Sequence, residues 1–412
     1  MKNNSREKQW KQRPERTVGV DLGDRFSRYC VLNREGEVME EGRMRTTEEA
    51  FRQHWEGEPQ QRIVLETGTH SPWVSRLLQS MGHEVIVANA RKVRAISENE
   101  SKNDRQDAEM LARLGYCNPK LLKPIRHRSR ERQCDLNLLR ARDTLVRART
   151  MLINSVRGLV KSAGGRLPAA SSEGFVRRVA TAVPAELRAA TQPLLEQIAA
   201  LTLQIRGLDQ AIEKLAERYP EIHILRTVPG VGPVIAAAYV LTLDGVDAVA
   251  RSRSVGAFLG LRPRQSQSGD SDPEHNISKT GNIYLRRLLV QGAHYVLGRF
   301  GPDSALRRWG LKLAAGGGQR SKKRAVVAVA RKLAVLLHHL WRTGQSYQPF
   351  PAGSSSTAAS SQSRVQRVCR SRFFCNAAET SIPEYHDFAK FIANSRSGDC
   401  DLRLGPSRPV FR

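Results

Sequence analysis

The chain has 412 residues, 40% of them hydrophobic, and carries 67 Lys and Arg against 40 Asp and Glu, a formal charge of +27. That length supports two or three packed domains, and the charge points to a polyanionic partner, phosphate backbones first among them. No run reaches the roughly 18 apolar residues of a membrane span, which argues against a membrane partner, and the scattered cysteines (Cys30, Cys117, Cys134, Cys369, Cys375, Cys400) show no disulfide or zinc spacing, so a reducing cytoplasm is expected.

The opening MKNNSREKQWKQRPER is basic and polar, and residues 1–15 read as a tail that is neither signal peptide nor anchor. TVGVDLG, RYCVLN and EVMEEGRMR are three predicted strands of an antiparallel meander. Thr47 caps a helix holding Phe51 and Trp55; RIVLE is a buried strand, SPWVSRLLQSMG a helix and EVIVAN another strand. Over 16–117 this is an α/β domain with a mixed sheet, in the element order of the ribonuclease-H-like fold.

Residues 118–220 are expected to be basic and helical. Leu138, Leu145, Leu152 and Leu159 recur every seven residues, as do Leu187, Leu194, Leu201, Leu208 and Leu215, with Ile198, Ile205 and Ile212 four residues after their leucines. Such a sustained period predicts a coiled coil and self-association. Residues 221–350 form an α-rich C-terminal domain, closed by the basic amphipathic helix RSKKRAVVAVARKLAVLLHHLW. Beyond Pro351 the Ser- and Arg-rich sequence loses periodicity and predicts a disordered, dispensable tail over 351–412.

Asp21 and Glu66 each close an apolar run (VGVD, IVLE), and neighbouring strands bring such ends together. Asp104 and Asp107, three apart in SKNDRQDAEMLARL, share one helix face. Four carboxylates at one sheet edge make an oxygen-rich site suited to Mg2+, able to stabilise the attacking and leaving oxygens of phosphodiester transfer. Singly, each acid also reads as a turn, a cap or a dipole partner. PGVGP resembles a helix-hairpin-helix turn in which Gly230 and Gly232 let backbone N–H groups approach a DNA phosphate; a plain tight turn with Pro233 opening a helix fits equally well. Ser268, in RQSQSGDSD, is by its chemistry alone a solvated loop residue. The distant His275 is no adjacent base, so activation would have to come from metal or cations. Arg262, Arg264 and Lys279 flank this loop, to hold a scissile phosphate or only to position the backbone.

VGVDLG, VLETG and KNDRQDAEMLA, together with VPGVGPVIAA, FLGLRPRQSQSG and ISKTGNIYLRRLLVQGA, resemble the DEDD-type transposases of the IS110 family, over about residues 16–347. The catalytic domain of these enzymes is similar to RuvC resolvases, and some features resemble the family's IS1111 branch. The resemblance implies that Asp21, Glu66, Asp104 and Asp107 match the acidic tetrad and that Ser268 matches a serine nucleophile. It also implies a covalent phosphoserine link to DNA and a guide RNA encoded by the element. The enzyme would be a dimer or tetramer in which the serine of one protomer serves the acids of another, in a bacterial, nucleoid-associated setting. Three other readings compete: a RuvC-type nuclease using metal-activated water, an actin-like ATPase suggested by the first hairpin, and a non-catalytic nucleic-acid scaffold. The ATPase lacks a second phosphate loop, and the scaffold would leave the four acids as a cost in affinity.

Overall fold

Short runs of buried residues, Thr17–Val20 and Arg62–Leu65 among them, build a sheet, and the computed structural model, which describes residues 14–89, 103–268 and 275–350, shows it as a mixed sheet of five strands. β1 (Thr17–Leu22), β2 (Phe26–Leu32) and β3 (Val38–Arg45) form the antiparallel meander, while β4 (Arg62–Glu66) and β5 (Glu84–Ala88) run parallel to β1, in the order β3-β2-β1-β4-β5. This mixed sheet with its helices agrees with the predicted α/β domain. α1 (Glu48–Trp55) starts at the expected cap, where the Thr47 hydroxyl accepts from the Ala50 N–H at 3.3 Å, and its Phe51 and Trp55 enter the core on one face of the sheet. α2 (Ser71–Ser80) packs on the same core through Val74, Leu77 and Leu78. α3 (Asp104–Cys117) covers the opposite face with Ala108, Leu111 and Ala112. The predicted tails, residues 269–274 of the serine loop, and Cys369, Cys375 and Cys400 lie outside the described residues.

The chain divides into two compact units, residues 1–132 and 133–412. In the second, α4 (Arg130–Ser162) is one uninterrupted helix, followed by the short α5 (Phe175–Val179), the long α6 (Arg188–Glu213) and the short α7 (Leu215–Arg218). The two long helices face each other inside one chain: Arg149 donates to the Thr202 hydroxyl at 3.2 Å, Arg142 pairs with Asp209, and Ile153, Val156, Leu195 and Ile198 share a core with Phe175 of α5.

The leucine line of α4 is not its buried face. Leu138, Leu145 and Leu152 are half-buried and Leu159 is exposed, whereas Leu139, Ile153 and Val160, one position further round, are buried together with Val156. On α6 the isoleucines Ile198, Ile205 and Ile212 are buried, while Leu194, Leu201 and Leu208 are half-buried. Two adjacent columns share the same seven-residue period, so spacing alone cannot say which faces inward. Leu187 and Leu215 fall outside α6, and the interruption at Lys214 ends the helix before the last predicted heptad.

α8 (Glu221–Arg226) leads through the PGVGP turn to α9 (Pro233–Leu243), whose residues from Ile235 onward are all buried. A helix apolar on every side requires neighbours all round. The short α10 (Val255–Phe258), then α11 (Ile283–Leu297) and α13 (Gly318–Thr343), supply them, and α12 (Ala305–Ala314) packs beside α13. The Tyr239 hydroxyl, buried in α9, donates to the Ala334 carbonyl at 2.6 Å. His338 ties α13 to the loop after α9, with Nδ1 at 2.9 Å from Ser252 and Nε2 at 3.0 Å from the Val246 carbonyl. No helix among the described residues is long and apolar enough to cross a membrane.

Candidate functional site

The parallel register pairs Val20 with Leu65, so the next residues, Asp21 and Glu66, end neighbouring strands side by side. Both are half-buried. α3 reaches this edge because Gly19 lets it: a Cβ there would lie 2.0 Å from the Ala108 carbonyl oxygen and 2.4 Å from the Ala112 nitrogen. Further along α3, Gly115 lies against Val64 and Thr17. The helix therefore runs antiparallel to β1, with its first turn at the end of the sheet that carries Asp21 and Glu66.

That first turn holds Asp104, exposed, and Asp107, half-buried. Neither is the cap. Asn103 takes that role, its side chain accepting from the Arg105 N–H at 3.1 Å. Arg105 in turn pairs with Glu41 of β3 at 2.5 Å, which fastens the start of α3 to the sheet.

The four predicted acids thus lie at one end of the sheet, and their hard oxygens fit a magnesium ion in kind. Among the described residues no three His, Cys, Asp or Glu side chains are gathered closely enough to hold a metal ion. Asp21, Glu66 and Asp107 each keep another interaction.

Two histidines near this edge escaped sequence reasoning. His70, four residues beyond Glu66, has Nε2 at 3.7 Å from Asp24 in the β1–β2 turn, while its Nδ1 accepts from the Trp73 indole at 3.0 Å. His127 lies with Nε2 at 2.9 Å from the Ser71 hydroxyl. The Ser71 hydroxyl also lies 2.9 Å from the Gly68 carbonyl oxygen and accepts from the Gly68 N–H at 3.0 Å. Burial, reinforced by Arg76 and Arg128, pushes the His127 imidazole down to about 4. The string LETGTHSPW announces His70 and Ser71, but nothing local announces a partner 56 residues on.

Ser268 belongs to the second unit and is exposed. It lies beyond a short ladder in which Pro263 bridges Ile277, the Arg264 N–H donates to the Asn276 carbonyl at 3.0 Å and the Ser278 N–H to the Arg262 carbonyl at 2.8 Å. The base of this hairpin is built by close backbone approach. A Cβ on Gly260 would lie 2.0 Å from the Thr280 oxygen, and Lys279 takes a left-handed φ of 54° to donate to the Gly260 carbonyl. Arg286 locks it by donating to the Leu259 and Thr280 carbonyls, both at 2.8 Å. Arg262, Arg264 and Lys279 are exposed around the hairpin, and the Arg262 guanidinium bonds Gln265.

The two glycines of the PGVGP turn differ. Gly230, at φ 83°, is committed to packing, since a Cβ there would meet the Gly292 oxygen at 2.9 Å and Tyr295 at 3.1 Å. Gly232 is exposed, with nothing near its Cβ position, at the start of α9.

Comparison with known proteins gives two family matches. Residues 18–164 match a family of DEDD-type transposases of IS110 elements, and residues 222–308 match the transposase IS116/IS110/IS902 family. The first stretch contains all four acids and the second contains Ser268. The chain is 28% identical over 294 residues to the transposase of insertion sequence element IS1111A from Coxiella burnetii, covering 69% of this chain and 79% of that protein. A probable family 20 transposase of Pseudomonas aeruginosa is 28% identical over 342 residues, 81% of this chain and 98% of the relative. The pilin gene-inverting protein of Moraxella bovis is 24% identical over 295 residues, 69% of this chain and 81% of the relative. A sheet edge rich in acids, a cationic chain and matches to both halves of one family lead to one conclusion: the chain belongs to the IS110 family, in its IS1111 branch, and is a DNA transposase.

Proposed function

We propose that this transposase cleaves and rejoins DNA with Ser268 as nucleophile and with Mg2+ held by Asp21, Glu66, Asp104 and Asp107. The observation that carries the reading is the antiparallel seat of α3 on Gly19, which sets both aspartates of its first turn at the strand ends bearing Asp21 and Glu66. When bound, Mg2+ supplies electrophilic stabilisation of the phosphate under attack. The Ser268 Oγ forms a bond to phosphorus as the bond to a deoxyribose oxygen breaks, and the proton lost by the hydroxyl is balanced by one gained on the departing oxygen. The phosphoserine ester conserves the bond energy, so a strand can be exchanged and resealed without ATP.

Arg262, Arg264 and Lys279 steady the scissile phosphate beside the hairpin. The PGVGP turn contributes a backbone phosphate contact on its Gly232 side, because Gly230 is already packed against α11. An RNA encoded by the element supplies the choice of donor and target sequence. Protomers of a dimer or tetramer complete one another's sites, with the paired helices α4 and α6 contributing to assembly.

The test is Ser268→Ala on a suicide DNA substrate with Mg2+ and the element's RNA. Loss of the covalent adduct with DNA binding retained is the expected result, alongside loss of recombination in Asp21→Asn. Persistence of the adduct moves the nucleophile to neighbouring Ser266. Cleavage by the unaltered chain without any adduct favours the RuvC-type nuclease, with water as the attacking group.

A further inference from the structure

Between residues 275 and 350 the chain carries fourteen Lys or Arg and a single acid, Asp303. That acid is already engaged with Arg308 at 2.5 Å. Within this cationic stretch three aromatic rings stand in water: Phe300, in the turn from α11 into α12, is 68% exposed, Tyr295 of α11 46% and Phe350, beyond α13, 43%. The Arg299 guanidinium sits over the Phe300 ring at 4.5 Å from its centroid, and Arg308 over Phe350 at 4.8 Å.

The turn that presents Phe300 is tied down at several points. Arg307 donates to the carbonyls of Val296 and Gly298, at 2.6 and 2.5 Å, and the Gly298 N–H donates to the His294 carbonyl at 2.8 Å. Gly301 passes so close that a Cβ would lie 2.2 Å from the Val296 oxygen. The Ala305 N–H donates to the Pro349 carbonyl at 2.9 Å, which sets Phe350 beside the start of α12. A backbone fastened this firmly that still leaves its largest apolar ring in solvent is built to present that ring to a partner.

We infer that Phe300, on this fastened turn, stacks with the bases of an unpaired DNA strand, with Phe350 and Tyr295 as further exposed rings of the same cationic stretch and Arg299 and the surrounding cations on the strand's phosphates. Exposed aromatics alone would also suit a protein partner, but a stretch with fourteen Lys or Arg and one acid complements a phosphate backbone. Base faces are free to stack on a side chain only where the strand is unpaired, and such stacking tolerates any sequence. DNA is the strand the enzyme must handle, and a cut strand awaiting its new partner is unpaired. The proposal rests on the DNA-transposase assignment and is independent of Ser268 and the four acids.

The test measures binding by the full chain without Mg2+ to labelled oligodeoxythymidine, to its duplex with oligodeoxyadenosine, and to the matched oligouridine. Phe300→Ala should weaken single-strand DNA binding about tenfold and leave duplex binding within about twofold, with an unchanged melting temperature. Phe300→Trp should keep the affinity, and its added indole emission should be quenched when the single strand binds. An equal loss on both DNAs, no loss on the single strand, or a tighter Phe300-dependent hold on RNA than on DNA would overturn the proposal. So would a change of oligomeric state in Phe300→Ala, which would make the patch a contact between protein chains. Because no step of chemistry is involved, these outcomes are independent of the adduct assay.

Discussion

His127 shows how a single buried side chain links pH to stability in the first unit. Its pKa falls from 6.5 to about 4 because burial and two neighbouring arginines disfavour the imidazolium. The unfolded chain therefore takes up a proton near pH 6.5 that the folded chain refuses until about pH 4. Stability is full above pH 6.5 and is lost as pH falls through that window. Melting temperatures measured from pH 7 to 4.5 should fall less steeply in His127→Gln than in the unaltered chain, since glutamine keeps a hydrogen-bonding partner for Ser71 without titrating. Parallel curves would show that His127 contributes nothing to the acid limb. Gly19 teaches a related lesson: its sequence context, VGVD, reads as an ordinary strand, yet its missing side chain is what allows α3 to lie on the sheet.

At the scale of elements, α4 and α6 separate what a repeat announces from what packing selects. Ile205 is buried, whereas Leu203, two residues away, is 70% exposed. Ile205→Ala should cost about 2–4 kcal/mol through the cavity it leaves, and Leu203→Ala should stay within about 0.5 kcal/mol, as read from denaturant midpoints. Met151 on α4 is likewise exposed, at 62%. If these outward apolar residues carry the proposed self-association, Met151→Glu with Leu203→Glu should lower the mass in sedimentation without changing the midpoint. An unchanged mass would move assembly to other surfaces. The buried columns were half legible: the isoleucines of α6 fall on one, but the leucines of α4 do not, because only the partner helix decides which of two adjacent columns turns inward.

For the whole molecule the governing quantity is charge. With +27 on the chain, DNA binding should be dominated by counterion release, so that affinity falls about 10³-fold or more between roughly 50 and 200 mM salt if six or more phosphates are contacted. A salt titration by fluorescence anisotropy measures this. A nearly flat dependence would mean that most of the cations face away from the DNA. The charge also explains why four acids at one sheet edge are informative: in so cationic a chain, carboxylates grouped on separate elements have a local use that solubility does not require.

The strands, their order of appearance, the Thr47 cap and the acids that end β1 and β4 could all be read from the chain, because short apolar runs, capping chemistry and charge are local properties that survive without knowledge of neighbours. Matching motifs in both halves carried the family in the same way. What only the tertiary structure decided were the relations between distant residues: α3 seated on Gly19, His127 hydrogen-bonded to Ser71, Gly230 committed to Gly292, and the ring of Phe300 left in solvent on a fastened turn. Each depends on which surfaces the folded chain covers and which it leaves open, and burial is a property of the assembled core that no window of sequence contains.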